Sequence, residues 1–142
     1  MMPNTSFSGV TDIIGTGLFA QSQRLSLIAS NLANANSVTS TGGQPYRALE
    51  PVFQAVPGDT NDTNSASTVS LVGVVQSAAP PDLKYDPASP CANQDGYVAG
   101  SDVSVAQQMV DLIDATQSYQ DQIAVLTQHE HLEVSMLQSF IA

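Results

Sequence analysis

Positive charge is scarce in this chain: Arg24, Arg47 and Lys84 stand against thirteen acidic residues, for a formal net charge of −10. That balance makes nucleic acid and anionic membrane poor partners, because both attract cations and repel a surface of this sign. Cysteine occurs once, at Cys91 between Pro90 and Ala92, so no intramolecular disulfide is possible. A catalytic thiol needs a histidine close by, and His129 and His131 lie far along the chain, which favours an inert loop cysteine. Long apolar runs are also missing. Gln, Ser, Arg and Asn interrupt every candidate before it reaches the roughly 18 residues of a membrane-spanning helix. The opening Met1-Met2-Pro3-Asn4-Thr5-Ser6 has no early cation, so a cleavable secretory signal is not expected.

What is present is helical periodicity at both ends. From about Asp12 to Asn36, positions Ile14, Leu18, Gln21, Leu25, Ile28, Leu32 and Ala35 recur by fours and threes, the rhythm of a coiled-coil seam. Gln23, Ser26, Ser30 and Asn34 occupy other faces, which predicts a one-sided helix in need of a partner. Asn31, Asn34 and Asn36 admit two readings, as polar groups that set interface register or as ordinary helix-end chemistry. The second helix is expected to be capped by Asp102, ahead of a seam of Val105, Met109, Leu112, Thr116, Tyr119, Ile123 and Leu126. A further row of Val110, Ile113, Ala124 and Val134 widens its apolar surface. After Leu126 the register shifts onto Leu132, Met136, Leu137 and Phe140.

Between the helices the chain is rich in Gly, Pro, Ser, Thr, Asn and Asp, with strand-like runs over Tyr46 to Val56 and Thr68 to Gln76 that predict a hairpin. The stretch Asp59 to Ser67 is small and polar, and predicts a mobile loop near residues 57–67. The organisation expected is therefore mainly α with a small β insert. Residues 1–36 and 102–142 form helical assembly segments that pack as a coiled-coil-like hairpin, and residues 37–101 form the β-rich insert.

Catalytic raw material is thin. In His129-Glu130-His131-Leu132-Glu133, the two histidines point about 200° apart on a helix, so they are not expected to share a metal. Asp111, Asp114 and Asp121 read as a solvated face without the oxygen-rich loop that wraps calcium. Gly15-Thr16-Gly17 lies inside a helical pattern and is not a phosphate loop. No enzyme activity, cofactor or metal is expected, and the chain reads as a structural, self-assembling protein.

Gln21-Ser22-Gln23-Arg24-Leu25 followed by Ser30-Asn31-Leu32-Ala33-Asn34-Ala35-Asn36 resembles the amino-terminal signature of the bacterial flagellar rod and hook axial proteins. Gly43 to Ala48, Val52-Phe53-Gln54, Asp86 to Pro90, Asp95 to Val98, Gln108 to Ala115 and Ser118-Tyr119-Gln120 resemble its proximal-rod members. The resemblance implies a rod subunit in the periplasm, exported through the flagellar type III apparatus, with copies of itself and other rod proteins as partners. The assembly residues so expected are Ile14, Leu18, Gln21, Leu25, Ile28, Asn31, Leu32, Asn34 and Asn36 on the first helix. On the second they are Met109, Leu112, Ile113, Tyr119, Ile123 and Leu126. A different rod subunit and a soluble helical adaptor are the rival readings.

Overall fold

The computed structural model describes residues 5–40, 42–58 and 66–141, with side-chain surroundings from residue 9 onward. Two long helices, α1 (Thr5–Asn34) and α2 (Val105–Ile141), flank five strands: β1 (Val38–Thr39), β2 (Leu49–Val56), β3 (Thr68–Gln76), β4 (Asp82–Tyr85) and β5 (Tyr97–Gly100). The protein is thus mainly helical with a small β middle segment. Residues 1–4 and most of the expected mobile loop, residues 59–65, lie outside the described residues.

Helix α1 begins well before Asp12, running through Gly9, Gly15 and Gly17. Helix propensity disfavours those glycines by about 1 kcal/mol each relative to alanine, yet tertiary packing overrides it. Gly17 shows why: a Cβ there would come within 3.0 Å of Gln122 Oε1 on α2. The helix stops at Asn34, two residues short of the expected end. Its last carbonyls are claimed by turn contacts, since the Ser37 N–H and hydroxyl both donate to Asn34 O at 3.0 and 2.7 Å.

The start of α2 also differs from expectation. Ser104, and not Asp102, caps it: the Gln107 N–H donates to Ser104 Oγ at 3.4 Å and the Gln108 N–H to Ser104 O at 3.0 Å. Asp102 has another task. Its Oδ1 accepts the Ala48 N–H at 2.6 Å and so secures the segment entering β2. That segment explains a further correction, because Tyr46 to Ala48 are not strand. The N–H groups of Ala48 and Leu49 go to side chains, Asp102 and Asn31, and regular pairing starts at Leu49.

β2 and β3 form an antiparallel hairpin, with Leu49 opposite Gln76 and Val56 opposite Thr68. A bulge between Val52 and Phe53 leaves Val72 as an extra residue on β3. Leu49, Pro51 and Phe53 alternate as half-buried positions, and the hairpin lies along α1 as far as Thr16, whose Oγ1 accepts the Val69 N–H at 3.4 Å. The second sheet, in the order β1-β5-β4, follows no pattern read from the sequence. Its centre is β5, with Val98 and Ala99 buried. The turn into β5 uses Gly96 at φ +80, where an added Cβ would sit 2.8 Å from the Tyr85 ring. A small apolar cluster of Ala35, Ala48 and Val103, with Tyr46 against it, ties the end of α1 to the approach to α2.

Candidate assembly surface

The helices run antiparallel, fixed by two contacts. Asn31 Nδ2 donates to Gln108 Oε1 at 3.0 Å, and Gln122 lies over Gly17. The interval from Asn31 back to Gly17 equals that from Gln108 forward to Gln122, fourteen residues on each helix, so one register holds throughout.

The side of α2 turned to α1 is mostly small or polar, with the half-buried Tyr119 and Leu126 its large members. Ala115 is fully buried at 0% exposure, and Gln108, Asp111, Ser118, Gln122, His129 and Glu133 along the same side are half-buried. His129 Nε2 and Glu133 Oε1 are 3.7 Å apart, an ion pair when the imidazole is protonated. Gln21 Oε1 and Gln122 Oε1 are buried without a hydrogen-bond partner, an arrangement that costs stability.

The apolar rows of α2 therefore point elsewhere. Met109, Leu112, Ile113 and Ile123 are exposed, Ile113 by 69%, and only Tyr119 and Leu126 of the expected set are half-buried. At about 100° per residue, the row through Val105, Leu112 and Ile123 sits roughly a quarter-turn from Ala115. Val110, Val125, Leu132, Val134, Leu137 and Phe140 are exposed as well. Exposed apolar side chains thus run along α2 on several of its sides, more than scattered apolar exposure.

On α1 the reverse holds. Ile14, Ile28 and Asn31 are buried, while Leu18, Gln21, Leu25, Leu32 and Asn34 are half-buried, and Asn36 alone of the expected set is exposed. Asn31 is 1% exposed and has all four polar valences filled. Its Nδ2 donates to Leu49 O and Gln108 Oε1, each at 3.0 Å, and its Oδ1 accepts from the Leu49 N–H at 2.9 Å and the Tyr46 hydroxyl at 3.1 Å. These bonds are within the protomer. Asn34 Nδ2 donates to Ser30 O at 2.9 Å, which is helix-end chemistry. Gln108 and Ala115 went unread as packing positions because neither belongs to an apolar period, and Tyr46 and Leu49 were placed only in a strand-like run.

Among the described residues, no group of three or more His, Cys, Asp or Glu side chains could hold a metal ion. None of the described helices is long and apolar enough to cross a membrane.

Residues 13–39 match the family model described as Flagella basal body rod protein, and residues 94–138 that described as Flagellar basal body rod FlgEFG protein C-terminal. The flagellar basal-body rod protein FlgC of Salmonella typhimurium is 46% identical over 119 residues, covering 82% of this chain and 85% of that protein. The FlgC of Yersinia enterocolitica is 40% identical over 132 residues, covering 93% and 96%, and that of Aquifex aeolicus 37% identical over 109 residues, covering 77% and 78%. The chain belongs to the FlgC family of flagellar basal-body rod proteins. The two segments matched by the family models contain most of α1 and most of α2, the elements that carry the seam and the exposed rows.

Proposed function

We propose that this FlgC-family chain is a structural subunit of the flagellar basal-body rod, joined to its neighbours through the terminal helices. The observation that carries this reading is the division of labour on α2. Its small, polar side is spent inside the protomer, and its apolar rows, Met109, Leu112, Ile113 and Ile123 among them, face outward. A heterologous contact repeated by rotation and rise generates an open helical assembly, and two long helices of unequal exposure supply its two unlike surfaces.

On this reading, residues 1–36 and 102–142 are the assembly segments, which pack in coiled-coil-like fashion against helices of copies and of other rod proteins. Residues 37–101 form an insert beside them. Ile14, Leu18, Gln21, Leu25, Ile28, Asn31, Leu32 and Asn34 contribute mainly by shaping α1, and the exposed Asn36 just beyond it and the α2 residues Met109, Leu112, Ile113, Tyr119, Ile123 and Leu126 by direct contact. The subunit performs no catalysis, reaches its place through the flagellar type III export apparatus, and resides in the periplasmic rod. The test is to replace the chromosomal copy with a tagged chain and image isolated basal bodies. Tag density in the rod is expected, and its absence from motile, fully assembled basal bodies overturns the reading.

A further inference from the structure

Packing many copies of a chain with a net charge of −10 brings carboxylates together, and the self-repulsion must be relieved by the few cations available. Among the described residues, none of the three cations forms an ion pair. Two of the three nevertheless have carboxylates of their own chain nearby. Arg24 shares a cleft with Glu50 and Asp111, and Lys84 lies on β4 two residues from both Asp82 and Asp86.

Arg47 is different. It lines an open cleft of about 590 Å³ with Gly43, Gln44, Pro45, Gln76 and Pro81, and no carboxylate is among the lining residues. Its Nη1 donates to Ser77 O at 3.0 Å, which holds an otherwise exposed guanidinium in place. A guanidinium offers five N–H donors in a planar fork suited to a carboxylate. Among the described residues, the one hydrogen bond of this guanidinium goes to Ser77 O, which leaves most of that capacity open.

We propose that the Arg47 cleft receives a carboxylate from a second copy of this chain, supplied by the acidic row Asp114 and Asp121 of its α2. Charge complementarity selects the kind of group, and position selects the row. Asp114 and Asp121 are both exposed, stand seven residues apart on one flank of α2, and have the exposed Val110 and Val125 beside them on that flank, each four residues from one of the two carboxylates. A neighbour that covers these valines meets the row. The pairing at such a rim orients and selects the neighbour, while the apolar rows supply most of the affinity. This inference rests on the rod-subunit reading.

The test uses the full-length chain expressed in cells that lack the chromosomal copy, with basal bodies isolated and rods counted. Arg47→Glu is expected to reduce rod-bearing basal bodies about tenfold, and adding Asp114→Arg and Asp121→Arg to the same chain is expected to restore them to within about threefold of the unmutated protein. Independently of any effect on folding, Arg47→Cys combined with Asp114→Cys or Asp121→Cys, in a Cys91→Ser background, is expected to give multimers when those basal bodies are treated with a short bismaleimide, since an arginine–carboxylate pair separates its Cα atoms by more than the roughly 7 Å that a direct disulfide can bridge. Rods at unmutated levels with Arg47→Glu overturn the proposal, and so does failure of both the charge-swapped rescue and the cross-link. Absence of the unmutated chain from basal bodies instead sinks the rod reading itself.

Discussion

The side-chain amide of Asn31 grips both backbone polar groups of Leu49, accepting its N–H at 2.9 Å and donating to its C=O at 3.0 Å. One residue of α1 thereby sets where β2 begins. The same amide reaches Gln108 on α2, so the three parts of the fold share a single buried junction. Buried donors and acceptors left unpaired cost about 1–3 kcal/mol each.

Asn31→Ala is accordingly expected to destabilise the protein by at least about 2 kcal/mol, since it strands the Leu49 amide and the Gln108 side chain together. Asn31→Asp is expected to be destabilising as well, because a carboxylate accepts the Leu49 N–H but has no donor for Leu49 O. Urea denaturation of the purified chain measures both. A change below about 0.5 kcal/mol in either variant contradicts the junction.

The division of α2 into an inward and an outward side predicts opposite consequences for neighbouring residues. Ile113→Asp leaves the monomer's helicity and denaturation midpoint within error, because Ile113 is exposed, yet it prevents incorporation into rods. Ala115→Leu, two residues away, forces α2 off α1 and lowers the stability of the monomer by about 1–3 kcal/mol. Circular dichroism paired with counts of assembled rods separates the two effects.

Capping offers a smaller, cleaner test. Ser104→Ala removes the side-chain acceptor for the Gln107 N–H and is expected to cost about 1 kcal/mol. Asp102→Ala is expected to lose more, since the Ala48 N–H is then left without its partner beside the Ala35–Ala48–Val103 cluster. Equal losses in thermal melts of the two variants would argue against separate roles.

At Gly17 the expected response is graded. Gly17→Ala shifts stability by less than about 1 kcal/mol, because the gain in helix propensity offsets a small displacement of the flexible Gln122 end. Gly17→Leu pries the helices apart and lowers the midpoint in a thermal melt well beyond the alanine variant.

Much of this architecture was readable beforehand, and the failures have particular causes. The period of α1 pointed correctly to Ile14, Ile28 and their neighbours as a side that is covered. Both strands of the hairpin were visible in their β-branched runs, down to the limits of β3. On α2, periodicity identified an apolar stripe but not its partner. The sequence rule that an apolar side faces the nearest helix failed because Ala115 and the polar residues beside it permit the closer approach. Asp102 was read as a cap because local chemistry fits that role equally well, and only the fold reveals the distant Ala48 amide it serves. β1 and β5 were missed since two to four residues carry no period to detect.

The hairpin strapped along α1 has one more effect. With α2 on one side and β2 and β3 on another, the open strip of α1 carries Ser22, Ser26, Ala29 and Ala33, all exposed. Helix axes separate by about 8–10 Å according to the bulk of the side chains between them. A neighbour crossing this strip can settle at the short end of that range, whereas one crossing the leucines and isoleucines of α2 is held at the long end. On the proposed rod packing, each protomer then acts as a spacer with two gauges, narrow on α1 and wide on α2.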